Sequence, residues 1–139
     1  MMQSLKYPFV LLAFIAFGVM AADLGKSGMI DRDFSLAIGK TVEVEGEDFY
    51  IRFKAVLEDS RCPANALCTS QGNAQVQLEI LGTYDQHQTI VLNTDNEPKA
   101  MTVKGHRVIL IALNPSRIDG ESISAGDYAV TLRVESPAD

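Results

Sequence analysis

Apolar and polar residues alternate along most of the chain beyond residue 40. Val42 and Val44 alternate with Glu43 and Glu45, and Phe49, Ile51, Phe53, Ala55 and Leu57 with Tyr50, Arg52 and Lys54. Ala74, Val76, Leu78 and Ile80 alternate with Gln75, Gln77 and Glu79, and Tyr128, Val130, Leu132 and Val134 with Thr131, Arg133 and Glu135. Successive side chains of a strand point to opposite faces, so a period of two collects each apolar set on one face. Residues 88–93 and 100–103 are shorter strand candidates. The unbroken apolar run Val108–Leu113 predicts a strand covered on both faces. No segment sustains the i, i+3, i+4, i+7 spacing of an amphipathic helix.

Turn-forming residues separate these runs, among them Gly39, Gly46, Gly82, Asn96 with Pro98, Gly105, and Asn114 with Pro115. Seven or eight short strands divided in this way predict an all-β fold, an antiparallel, immunoglobulin-like β-sandwich. A small closed β-barrel is the alternative. Tyr128 opens the last strand. Two readings are open for it: a hydroxyl bonded to backbone across a corner, or an ordinary half-buried strand tyrosine.

The first residues follow a different rule. Lys6 precedes an uncharged, apolar stretch that ends in the small residues Ala21 and Ala22. This predicts a signal peptide over residues 1–22, because the stretch falls short of the roughly 20 apolar residues of a spanning helix. A flexible lead-in over 23–32, one domain over 33–136 and a tail over 137–139 complete the organisation. Export to the periplasm or the extracellular space follows, with no membrane insertion after cleavage. No cysteine lies near the cleavage site, which disfavours a lipoprotein.

Composition narrows the class. The chain has 139 residues, 47% hydrophobic and 22% charged, with a net charge of −6. That suits a single globular domain and excludes a disordered chain. The acidic balance argues against nucleic acid as a partner, since phosphate binding needs a basic face.

The loop between the two strongest strands carries both cysteines, Cys62 and Cys68. In an exported protein this close pair is expected to form a disulfide. A closed loop of seven residues contributes about 2.4 kcal/mol at most, a local staple rather than the support of a fold. The same loop holds Asp59, Ser60, Arg61 and Pro63, the candidate binding residues. Two roles are open for Asp-Ser-Arg: an internal brace of the loop, or a contact to a ligand or protein, as loops on rigid scaffolds make.

Asp59-Ser60-Arg61-Cys62-Pro63, Cys68 and Gly72-Asn73-Ala74 resemble a group of small exported bacterial β-rich proteins of unestablished function. Their shared pattern is DSRCP…C…GxA after a strand ending V-x-x-D, here Val56 to Asp59. Phe34–Val44 and Asp127–Val134 extend the likeness. The resemblance implies export, the disulfide and a β fold, and supplies no catalytic residues. An aromatic common between the second cysteine and the glycine is absent: Thr69, Ser70 and Gln71 stand there. That departure predicts a loop held less closely against the sandwich.

Catalytic signatures are missing from the sequence. No Gly-x-Ser-x-Gly turn, phosphate loop, HExxH or calcium loop occurs. Asn114-Pro115-Ser116 has proline in the middle of a glycosylation triplet and fails as an acceptor. His87 and His106 are both expected as exposed turn residues, and Glu43, Glu45, Glu47 and Asp48 as a solvated acidic turn. No metal or other cofactor is expected. The leading expectation is a non-enzymatic binding domain that presents the stapled loop to an exported or cell-envelope protein. A small hydrolase or metal-assisted enzyme using His87 and His106 is one alternative. A purely structural envelope component is another.

Overall fold

The computed structural model describes residues 30–83 and 86–137. The signal peptide expected over 1–22 and the lead-in up to residue 29 lie outside the described residues. Eight strands run in the order β1 (Asp33–Ala37), β2 (Thr41–Glu43), β3 (Phe49–Asp59), β4 (Ala74–Gly82), β5 (His87–Asn93), β6 (Ala100–Val103), β7 (His106–Asn114) and β8 (Ala129–Glu135). They form two antiparallel four-stranded sheets, β1-β8-β7-β6 and β2-β3-β4-β5, and neither closes into a barrel. The chain is thus the β-sandwich that the alternation predicts.

The second sheet is a simple meander. The first is also a meander from β6 to β8, with β1 added beside β8 through pairs from Asp33–Arg133 to Ala37–Ala129. The chain crosses between sheets only twice, after β1 and after β5. The connections β3–β4, β5–β6 and β7–β8 therefore gather at one end. The tighter turns β2–β3, β4–β5 and β6–β7 gather at the other.

Period-two patterning accounts for the core. Phe49, Ile51 and Phe53 of β3 and Val76, Leu78 and Ile80 of β4 are all buried. They meet Val108, Val130, Leu132 and Val134 from the facing sheet. Burial of one face per sheet drives the two layers together.

Bulges explain where simple alternation misleads. The β7–β8 register shifts between Leu110 and Ala112. Val108 and Leu110 are buried before the shift and Leu113 after it, while Ile111 is 44% exposed. The apolar run is therefore not a strand covered on both faces. The extra residue changes which side chains point inward, so both parities are apolar. In β3, shifts between Phe53 and Ala55 and between Val56 and Glu58 act likewise. They turn Leu57 outward, 52% exposed, off the apolar face where alternation places it.

The described end of the lead-in is anchored rather than loose. Ile30 bridges to Val134. The Asp31 carboxylate accepts from the Ser136 amide at 3.2 Å and from the Ser136 hydroxyl at 3.0 Å.

Two substitutions separate the inward from the outward positions. Phe53→Ala should cost about 3–5 kcal/mol in urea unfolding, because it empties a fully enclosed site. Ile111→Thr, at the turned-out position of β7, should stay within about 0.5 kcal/mol of the native chain. Equal losses would contradict the bulge assignment.

Candidate functional site

Asp59 ends β3, and the loop from Ser60 to Asn73 returns the chain to β4. Two backbone bonds close its base: Ser60 N to Asn73 O at 2.7 Å and Cys62 N to Gln71 O at 2.8 Å. Gly72 makes that closure sterically feasible. It sits at φ +68°, and a Cβ there would overlap the Ser60 carbonyl oxygen. Only glycine combines that backbone angle with so close an approach. The Ser60 hydroxyl donates to Asn73 O at 2.9 Å and accepts from Asn73 N at 3.3 Å.

Arg61 reaches back across this base. Its Nε donates to Asp59 Oδ1 at 2.7 Å, and one terminal nitrogen donates to Asp59 Oδ2 at 2.8 Å. The same nitrogen donates to Pro115 O at 3.0 Å, and the other to Leu113 O at 2.7 Å. A planar guanidinium suits this division, a fork to a carboxylate with donors left for carbonyls. Asp59 Oδ2 also accepts from the Tyr128 hydroxyl at 2.9 Å. Tyr128 thus bonds a carboxylate of the opposite sheet, not the backbone of its own corner. Arg117 of the β7–β8 connection donates to Arg61 O at 2.7 Å.

These contacts set the electrostatics. Burial works to raise the Asp59 carboxyl, but hydrogen bonds from Arg61 and Tyr128 and the Arg61 charge outweigh it. The carboxyl is held below its ordinary 3.8. Burial, then the hydrogen bond to Asp59 and its charge, push the Tyr128 phenol up.

Asn73 makes a second tie. It donates to Asn93 Oδ1 at 2.9 Å, and its Oδ1 accepts from the amides of Asp95 and Asn96, each at 3.1 Å. Asn93 in turn donates to Pro98 O at 3.2 Å. Asn73 and Asn93 are both buried. All three connections at this end are thereby joined.

Beyond the base the loop projects. Pro63 opens a turn in which Ala66 N donates to Pro63 O at 3.1 Å. Ala64 N donates to Arg117 O at 2.8 Å, and Asn65 Oδ1 accepts from Asp119 N at 2.8 Å. Cys62 and Cys68 are joined, as the compartment argument predicts. Leu67, next to Cys68, is fully exposed at 105% of its reference area. Cys68, Thr69, Ser70 and Gln71 are exposed as well.

The structure thus divides the candidate residues. Asp59, Ser60 and Arg61 form a brace with their polar groups turned inward. Pro63 shapes the turn. Sequence reasoning did not single out Leu67, Arg117, Asn73 or Asn93 for these roles. Leu67 had one signal, as the only large apolar side chain between residues 60 and 73. The asparagines had none, because their partners lie on a connection distant in sequence.

The histidines occupy different surroundings. His87 is half-exposed on the outer face of its sheet, its Nε2 3.5 Å from Glu79 Oε2. Lys54 Nζ lies 2.7 Å from the other oxygen of that carboxylate. The hydrogen bond from Lys54 is the main force holding the Glu79 carboxyl below its ordinary range. His106 is buried, contrary to the expected exposed turn residue. It begins β7 on the inward side and lies against Phe49, ring centroids 5.7 Å apart. Its Nδ1 faces Lys104 O at 3.1 Å and its Nε2 faces Glu47 Oε1 at 3.2 Å. Glu47 is therefore engaged across the sheets, not merely solvated in the acidic turn. Each imidazole has its own carboxylate. No group of three or more His, Cys, Asp or Glu among the described residues is placed to hold a metal ion.

Fold and loop together define a class: an eight-stranded β-sandwich that carries a stapled loop on an internally hydrogen-bonded base. No protein-family model matches the chain, and no curated protein or solved structure matches it.

Arg61→Met should destabilise the fold by about 3 kcal/mol, since it leaves the Asp59 carboxylate enclosed without its cation. A depressed carboxyl stabilises the fold above its unfolded value, here near 3.8, and that stabilisation disappears as pH falls through the lower folded value. The stability difference between the native chain and Asp59→Asn should therefore be constant near neutrality and shrink below about pH 4. Urea unfolding across that range measures it. Gly72→Ala should cost about 3 kcal/mol through its backbone angle and the overlap at Ser60. A loss under 1 kcal/mol would show that the loop base relaxes freely.

Proposed function

We propose that the chain is an exported, periplasmic, non-enzymatic interaction protein that presents the tip of its stapled loop to an exported or cell-envelope protein. The observation that carries this reading is Leu67. A large apolar side chain stands wholly in solvent on a loop whose base is fixed by Arg61, Gly72 and Asn73. Covering such a side chain is favourable by about 1.5–3 kcal/mol. A loop already ordered loses little further freedom on binding.

Export is supported by the joined cysteines, which persist in oxidising compartments. Among the described residues no helix is long and apolar enough to cross a membrane. The enzymatic alternative draws less support, because His87 and His106 turn to separate carboxylates.

The test uses the tagged chain without residues 1–22 as bait in an envelope fraction, beside a Leu67→Ser variant. Capture of a discrete protein should fall about tenfold or more in the variant, by the transfer value of the side chain. The stability of the variant should change by less than about 0.5 kcal/mol, as at other exposed sites. Equal capture by both proteins would remove the tip from the interaction.

A further inference from the structure

The two sulfurs of the disulfide are not equivalent. Cys68 is exposed and flanked by exposed Leu67 and Thr69, whereas Cys62 is half-buried. Cys62 Sγ lies 3.5 Å from Pro63 O and 3.6 Å from Ala66 O. An incoming thiolate therefore meets an open sulfur at Cys68. At Cys62 it meets the negative ends of two carbonyl dipoles. Attack in thiol–disulfide exchange follows access as well as nucleophilicity.

The bond also closes only the distal part of the loop. The pairs Ser60–Asn73 and Cys62–Gln71 and the Arg61 contacts to Asp59, Leu113 and Pro115 need no sulfur.

We infer that Cys68 is a thiol-modification site, at which a low-molecular-weight thiol opens the disulfide and remains attached while the sandwich stays folded. The step is a simple exchange. The thiolate of the small molecule bonds to Cys68 Sγ as the bond between Cys68 Sγ and Cys62 Sγ breaks. Cys62 leaves as a thiolate and takes the proton that the small thiol lost. The disulfide is itself the oxidant, so one disulfide replaces another and no further electron acceptor is needed. The new Cys62 thiol has two carbonyl acceptors within reach of its S–H. Those same dipoles disfavour the Cys62 thiolate both as it departs and as it would return to expel the adduct, so access selects the sulfur attacked and the carbonyl-bonded thiol favours the open form. The adduct therefore persists on Cys68.

The consequence for function rests on the proposed role of Leu67. Its neighbour Cys68 would carry a polar adduct, and the ring that directs the tip would be open. Thiol-rich surroundings would switch the contact off without unfolding the protein.

Reduced glutathione is a suitable probe. The oxidised chain without residues 1–22 is incubated with it, quenched with acid and mapped by peptide mass. The glutathione should be on Cys68, with the far-ultraviolet circular dichroism and a cooperative unfolding transition retained. Two single variants test the asymmetry apart from the exchange. The free thiol of Cys62→Ser, which is Cys68, should react with an aromatic disulfide reagent about tenfold or more faster than the free thiol of Cys68→Ser. An adduct on Cys62, equal rates in the two variants, or loss of β-sheet signal in step with opening would each overturn the inference. Envelope capture by the adduct separates the two proposals. A Cys68 adduct with undiminished capture leaves the modification site standing and removes the tip from recognition. Capture that depends on Leu67 in a chain that glutathione does not modify does the reverse.

Discussion

The ion pair of Arg61 with Asp59 is the point at which the two sheets become one object. Hydrogen-bond ladders run within each sheet, and among the described residues the apolar core is the continuous contact between the sheets. That core supplies the driving force but little direction, since hydrophobic burial depends on area more than on angle. Arg61 supplies direction. It leaves the end of β3, grips Asp59 on its own sheet, and donates to carbonyls at the end of β7 on the other. Tyr128 closes the bracket by reaching from the start of β8 to the same carboxylate. Half-buried ion pairs of this kind contribute little net stability against an apolar replacement, because desolvation offsets much of the attraction. What this one provides is position: three charge-assisted contacts cross between the sheets, from Arg61 to Leu113 O and Pro115 O and from Tyr128 to Asp59, and they cannot be satisfied in a shifted register.

The opposite end is fastened by a different chemistry. His106, on the inward side of β7, faces Glu47 from the β2–β3 turn. Lys104, in the β6–β7 turn, donates to Gln86 of the β4–β5 connection at 2.6 Å. Both contacts cross from one sheet to the other, as those of Arg61 do. Asn73 and Asn93 complete the set beside Arg61 by tying the β5–β6 connection to the loop base. No buried side-chain nitrogen or oxygen among the described residues lacks a partner. Of the buried polar residues, Asn73, Asn93 and His106 stand at the two ends and Glu79 lies under Lys54 and His87 on the outer face of its sheet, so the layer between the sheets is left to apolar packing.

The sequence was most legible where one physical rule acted alone. The strands at 74–82 and 129–135, and the one that starts at Phe49 as far as Phe53, follow from alternation, because each has one face to bury. The staple followed from compartment and spacing. Legibility failed where a second rule intervened. Bulges in β3 and β7 changed the inward parity, so Leu57 and Ile111 point out against their pattern. His106 looked like a turn residue because it follows glycine, yet its position in the β6–β7 register turns it inward beside Phe49. Within Asp-Ser-Arg the types of side chain were informative and their partners were not. Leu113, Pro115 and Tyr128 lie more than fifty residues further along, and only the closing of the two sheets brings them near.

The loop divides into a base and a tip built from different residues. Residues whose polar groups are used inward, Asp59, Ser60, Arg61 and Asn73, stand at the feet of the loop. Gly72 lets the feet approach. Residues from Cys62 to Gln71 include no charged side chain, in a chain whose net charge is −6. Nothing in that stretch competes with Arg61 for Asp59. Thr69, Ser70 and Gln71 all remain in solvent. The staple then has a limited task. It does not hold the sheets together, which Arg61 and the core already do. It closes the ring that carries Leu67, beyond a base whose contacts involve no sulfur.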